Sequence, residues 1–330
     1  MEDIDASSLE VAKSSFLSLL SRVDPCESPS FLEWVIQHCS NVNTTGNTGE
    51  TTNYASMTSA EKRLREIVKD IKKRVPLLGV MASENISHPE EEEENSEFHP
   101  STTIHVDSFL YSDEDIDRLC DEGKMSHNYC KDCGSHNTAP LTFISHSSSL
   151  VQLRFIFQAA LPMILNTLSN KLMLDVGSRL GAVLYGAYHF STIQKIIGVE
   201  INSDLCNLQQ ETVEKYNMSD RVEIRCADIC SELTLLEQAD VVVLNNVFEF
   251  FLPVDEQIRT WKILREHLTK PGCVLVTVPS LEEATIFNDK ACIDLNSWVK
   301  PCTVSYNVTE ISSCDEDIYE LQNIFFYQVR

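Results

Sequence analysis

Between residues 172 and 278 the chain alternates five short apolar runs with helical stretches, and this alternation limits the fold more than any other feature. The runs are LMLDV, KIIGVE, RVEIRC, DVVVLN and CVLVTV. Each is too short for a helix and is rich in β-branched or aliphatic residues, so each reads as a strand. AVLYGAYHF and SDLCNLQQETVEKY between them carry helical patterns, as does the stretch holding Val254, Ile258, Trp261, Ile263 and Leu264. Strand–helix–strand units with right-handed crossovers build a parallel sheet covered on both faces. The fourth run is unbroken apolar from Val241 to Leu244 and belongs at the centre. Two later stretches, SWVKPCTVSYNV and IYELQNIFFYQV, add two strands. The expected fold is α/β: a doubly wound, mostly parallel, seven-stranded Rossmann-like sheet.

In such a sheet ligands bind beyond the carboxyl ends of the strands. Polar residues gather there. Asp175 lies in the first strand, followed by a turn containing Gly177, Ser178 and Gly181. Glycine lets the backbone turn sharply and approach a ligand closely, and a small Ser178 leaves room. Glu200 ends the second strand, where a carboxylate can accept both hydroxyls of a ribose. Asp228, with Ile229 beside it, follows the third. Asn245 and Asn246 end the fourth, with Glu249 and three phenylalanines just beyond. A nicotinamide-binding reading fails because the G-x-G-x-x-G spacing is absent.

These residues together resemble the class I S-adenosylmethionine (SAM)-dependent methyltransferases over about residues 150–330. LDVGSRLG is similar to motif I, GVE with Glu200 to motif II, ADI with Asp228 to the adenine-binding acidic position, and LNN with Asn245 to motif IV. More narrowly, DVGSxLG, GVE and NNxFxF resemble the Dot1-type protein lysine methyltransferases, which implies that Asn246 and Phe248 lie near SAM and the lysine channel. The resemblance implies SAM as cofactor, held by Asp175, Gly177, Ser178, Gly181, Glu200, Asp228, Ile229 and Asn245. Methyl transfer from a sulfonium mainly needs a positioned nucleophile. Asn245, Asn246 and Glu249 are the candidates for that role, although Glu249 also reads as a surface carboxylate and the two asparagines as a polar turn. Two departures stand out. Arg179 occupies a place where glycine is common, and either points away from the ligand or weakens the site. Motif IV also lacks the Pro-Pro-aromatic sequence that suits N6-adenine chemistry.

The rest of the chain divides into a helical region (1–80), an acidic linker (81–103) and a Cys/His-containing segment (104–150) that packs on the methyltransferase domain (151–330). Residues 8–40 read as two short helices, 41–53 as a polar loop, and PEEEEENSE (89–97) as disordered. SAEKRLREIVKDIKKRV is an amphipathic helix stopped by Pro76, with a basic face running from Lys62 to Arg74. Cys130-x-x-Cys133-Gly resembles half of a zinc knuckle. Cys120, His127, His136 and His146 would have to complete the four ligands, so zinc stands open beside an ordinary turn with two free thiols, which is favoured, and a redox pair, and no metal ligand is assigned. The single cysteines, such as Cys206, Cys226, Cys230, Cys273, Cys292 and Cys302, read as buried reduced thiols.

A formal charge of −24 repels phosphate backbones at long range and argues against bulk DNA binding. No apolar run reaches membrane-spanning length, and the start carries no basic-then-apolar leader. Cysteine usage points to cytoplasm or nucleus. Three functions follow: a protein side-chain methyltransferase, an RNA methyltransferase using the basic helix 61–75, or a non-catalytic SAM-binding scaffold. A partner subunit is compatible with each.

Overall fold

The computed structural model describes residues 58–84, 86, 102–130, 138–282, 293–306 and 315–330, with Val23 alone before them. Apart from Val23, the segments 8–40, 41–53 and 89–97 lie outside the described residues, as do Cys133, His136 and Cys292. The chain divides into Met1–Ser59 and Ala60–Arg330, and the second unit contains the sheet and the site.

Helix α1 (Ser59–Ile71) buries Leu64, Ile67, Val68 and Ile71, the i, i+3, i+4, i+7 stripe of an amphipathic helix. It ends four residues earlier than the apolar pattern, which runs to Val75. Lys73 and Arg74 donate their backbone N–H groups to Asp70 and Ile71, three residues back, and this tighter winding closes the helix before Pro76. Strand β1 (Thr103–His105), helix α2 (Asp113–Asp121) and strands β2 (Asn128–Cys130), β3 (Thr138–Pro140) and β4 (Thr142–Ile144) follow. β1 pairs with β4 in parallel, and β2 with β3 in antiparallel. A capping box between Ser149 and Gln152 opens α3 (Leu150–Arg154), which runs through a π-helical turn (Phe155–Ala160) into α4 (Leu161–Leu165).

The main sheet is built from β5 (Leu172–Val176), β6 (Lys195–Glu200), β7 (Val222–Cys226), β8 (Val241–Asn245), β9 (Val274–Val278), β10 (Val299–Pro301) and β11 (Phe325–Val329). Its order is β10-β11-β9-β8-β5-β6-β7. β5 to β9 are parallel, and β11 inserts antiparallel between β9 and β10. Helices α5 (Ala182–Phe190), α6 (Ser203–Lys215), α7 (Leu233–Gln238) and α8 (Val254–His267) make the crossovers. The expected seven strands are all present. Because the chain winds outward from β5 to β7 and then returns to β8, the strand order reverses between β5 and β8. A crevice opens at such a point.

Strand alternation splits the core into two. Met173, Ile196, Val241, Val243, Val274 and Val276 face one hydrophobic layer. Leu174, Val176, Ile197, Val199, Val242 and Leu244 face the other. Both faces being apolar explains why β8 reads as an unbroken valine run. The cysteines need a correction. All of those described are free, but only Cys206 and Cys273 are buried, and Cys226 is exposed. It ends β7, the edge strand of the sheet.

Candidate active site

The cavity of about 570 Å³ at the carboxyl ends of β5, β6 and β8 has a volume suited to a small-molecule ligand. Of the residues anticipated from sequence, Gly177, Glu200, Asp228, Ile229, Asn245 and Asn246 all line it. Asp175, Ser178, Gly181 and Glu249 do not appear on its wall.

The glycine turn folds back on β6 through two hydrogen bonds to the Val199 carbonyl, from the Gly177 and Ser178 N–H groups, at 2.8 and 3.2 Å. Gly177 has φ +68°, and a Cβ there would overlap Val247 Cγ2, across the cavity mouth on the loop after β8. Glycine is thus required twice, by backbone conformation and by close approach. Gly177→Ala is expected to lower stability by roughly 2–3 kcal/mol, the left-handed penalty plus the overlap. A urea titration measures it, and Val247→Ala should restore only the overlap part. Full rescue would show that backbone strain contributes nothing.

Ser178 turns the other way. Its hydroxyl donates to Gln209 Oε1 on α6 at 2.8 Å, while Gln209 Nε2 donates to the Arg179 carbonyl at 2.7 Å. Gly181 sits at φ +85° before α5. Both residues shape the loop from the helix side. Asp175 shares a strand face with Met173, and burial first, then the nearby Glu200 charge, raise its carboxyl well above the usual range.

The Glu200 carboxylate is held by backbone donors on both oxygens: Asn202 N–H to Oε1 and Arg179 N–H to Oε2, each at 2.9 Å. Burial raises its pKa, and these backbone bonds oppose the rise. A carboxylate has about four lone-pair sites, so each oxygen keeps capacity for a ligand hydroxyl. Asp228 is more exposed and accepts from the Cys230 N–H at 2.8 Å. Asn245 Nδ2 donates to Ser148 Oγ at 3.1 Å, and Asn246 adopts φ +48° with its N–H on the Val278 carbonyl at 2.8 Å. Phe248 and Phe251 line the cavity beyond them. Glu249 is half-buried, and burial raises its carboxyl.

Arg179 answers the question posed by its position. Its backbone lies in the left-handed region at φ +46°, where a glycine would ordinarily sit. Its guanidinium runs into the segment before the domain, contacting Glu84, Asp107, Ser147 and the Gly79 carbonyl. All three charged side chains are buried, at 7%, 3% and 0% exposure for Arg179, Glu84 and Asp107. The arginine therefore ties the segment around residues 79–84 to the glycine loop. Ser83 and Glu84 reach the cavity wall as a result, and Ser83 meets the Asn202 side chain. These two residues escaped the sequence reading, which offered no motif there. The lone clue was a long cation at a glycine position.

His146 also lines the cavity. Its Nε2 lies 2.9 Å from His105 Nδ1. Among the described residues no group of three or more metal-binding side chains occurs. No helix among them is long and apolar enough to cross a membrane.

Residues 174–276 match the methyltransferase domain family. No curated protein matches the chain at a significant level. Among solved structures it is similar to an RNA methyltransferase from Salinibacter ruber in complex with S-adenosyl-L-homocysteine (SAH). The identity is 16% and the TM-score 0.32, over 51% of this chain and 86% of that one. It is also similar to an O-methyltransferase from Bacillus cereus in complex with SAH, at 15% identity and TM-score 0.34 over 56% and 83% of the two chains. A putative methylase from Haemophilus influenzae is 15% identical at TM-score 0.35, over 54% and 98%. Residues 174–276 thus carry a methyltransferase domain, and the sheet order around them is the one expected from the alternation of strands and helices.

Proposed function

We propose that this methyltransferase modifies a nitrogen-bearing side chain of a basic protein, with SAM held by Gly177, Glu200, Asp228, Ile229 and Asn245. The residues present fit that cofactor: a glycine cradle that a Cβ would fill, and a strand-end carboxylate with spare acceptor capacity. When bound, SAM supplies a methyl group activated by its sulfonium. The protein's share of the work is positioning. Asn245 is fixed by Ser148, and Asn246 by its left-handed backbone and its bond to Val278, so both present their side chains from a rigid strand end.

The observation that carries the choice of acceptor is the charge of the cavity wall. Glu84, Glu200, Asp204 and Asp228 line it, and the one Lys or Arg among the lining residues, Arg179, is already bonded to two carboxylates. Two carboxylates against one guanidinium leave that buried cluster negative. Such a wall favours cations and disfavours phosphate-bearing acceptors, and the −24 net charge acts in the same direction at longer range. The basic helix is partly neutralised too. Lys72 pairs with Asp115, and Arg74 with Asp70 and Glu211.

The test is transfer of tritium from methyl-labelled SAM into a cell extract, followed by separate protease and nuclease digestion. Label expected in protein, released by protease alone, supports the reading. Label released by nuclease would replace it with an RNA substrate, and reversing the charges of Arg63 and Arg65 would then be expected to abolish transfer.

A further inference from the structure

The wall of the cavity beyond Asn245 contains a polar group that the cofactor site does not use. The loop 145–149 is braced on both sides. Ser145 Oγ accepts the Ser108 N–H at 2.9 Å and the Ser147 N–H at 3.1 Å, and Ser147 Oγ donates to Asp107. Ser148 holds Asn245. His146, in the middle of this loop, is therefore fixed against the end of β8. Its ring stacks on His105 with centroids 5.0 Å apart, and meets Phe250 and Phe251 edge-on at 5.0 and 4.9 Å. His146 is 7% exposed. Its Nε2 faces His105, but its Nδ1 has no hydrogen-bond partner among the described residues.

A buried imidazole nitrogen left unsatisfied among aromatic rings is costly, and a phenylalanine would pack there without that penalty. A ligand that completes the hydrogen bond accounts for it. We propose that His146 is the acceptor-side contact of the active site, with Nδ1 taking a hydrogen bond from an N–H of the incoming side chain and His105 fixing the ring. This rests on the reading of the acceptor as a nitrogen-bearing side chain.

The role defines a tautomer. For Nδ1 to accept, Nε2 must carry the proton and donate it to His105 Nδ1. Burial, then the Arg179 and His105 charges, push the His146 pKa down to about 3. The ring therefore stays neutral and orients the nitrogen without keeping its proton. Glu84, Glu200, Asp204 and Asp228 are the carboxylates on the same wall, and the His146 ring bonds to none of them, its Nε2 facing His105 and its Nδ1 having no partner among the described residues. His105 acts through His146 and is a positioning residue.

Two measurements on the full chain decide the matter. In nitrogen-15 spectra of wild-type protein saturated with SAH, His146 should show a bare Nδ1 and a protonated Nε2 at neutral pH. A proton on Nδ1 overturns the proposal without reference to any acceptor. In the tritium assay, His146→Phe should transfer at least tenfold more slowly with SAH affinity within twofold of wild type. His146→Asn, whose side-chain oxygen can fall near the Nδ1 position, should recover part of the rate. Equal rates for wild type and His146→Phe, or a parallel loss of SAH affinity, overturn the proposal. A wild-type chain that labels only RNA overturns the acceptor reading instead, while the tautomer still tests His146 itself.

Discussion

Arg179→Met is expected to lower the unfolding free energy by roughly 3–5 kcal/mol, because it leaves two buried carboxylates without their cation. Asp107 and Glu84 are almost fully buried, and Arg179 bonds both. Burial alone would lower the Arg179 pKa, but Asp107 and Glu84 outweigh it and hold the guanidinium charged. Urea denaturation gives the magnitude. The triple variant Arg179→Met, Asp107→Asn, Glu84→Gln should recover much of the loss, since neutral partners no longer carry unpaired charge. Arg179→Gly separates the two parts of the residue. It relieves the left-handed backbone, worth about 1–2 kcal/mol, yet should still be strongly destabilised because the ion pairs are gone. An Arg179→Met protein within about 1 kcal/mol of wild type would mean that the cluster is not formed in solution, since breaking a buried pair costs more than that. Cofactor affinity should fall too, because the Arg179 N–H is one of the two backbone donors that hold Glu200.

The sheet was legible because its signal is local. Five apolar runs of strand length and the glycine turn between the first strand and helix α5 can be read from neighbouring residues alone. The same holds for Glu200, Asp228 and Asn245, which are strand-end positions, and all three line the cavity. Ser178 and Gly181 were legible as loop residues but not by direction. A turn sends successive side chains different ways, and the Ser178 hydroxyl goes to Gln209 on α6. Ser83, Glu84 and His146 were not legible as site residues. Glu84 reaches Arg179 across 95 positions of sequence, and His146 meets His105 across 41. No periodicity encodes such contacts. A histidine beside a CxxC reads more readily as a metal ligand than as a cavity wall, and only the path of β1 and β4 brings His146 against β8. Arg179 did carry a hint: a residue forced to positive φ needs compensation, and the compensation lay in the segment before the domain.

Glu200→Gln is expected to weaken SAH binding by a hundredfold or more, measured by calorimetric titration. Both carboxylate oxygens already accept one backbone N–H, from Asn202 and Arg179, and each retains capacity for one ribose hydroxyl. Hydrogen bonds to a charged acceptor contribute about 1.5–3 kcal/mol each and neutral ones about 0.5–1.5, so losing the charge at two of them removes about 2–3 kcal/mol, close to the roughly 2.7 kcal/mol that a hundredfold change represents. The amide does further harm. Whichever way it turns, its NH₂ group meets one of the two backbone donors, and that bond becomes a repulsion. Asp228→Asn should cost less, about tenfold, because Asp228 is exposed and its hydrogen bonds compete with water. Burial gives Glu200 a pKa above the ordinary glutamate range, so affinity should fall as pH drops through that raised value, where the carboxylate takes up its proton. In Glu200→Gln that pH dependence should vanish. A folded Glu200→Gln protein that binds SAH within threefold of wild type would remove the ribose from this position. The cofactor would then have to be held mainly by the glycine loop and Asp228, and the same titration on Gly177→Ala would show whether that loop suffices.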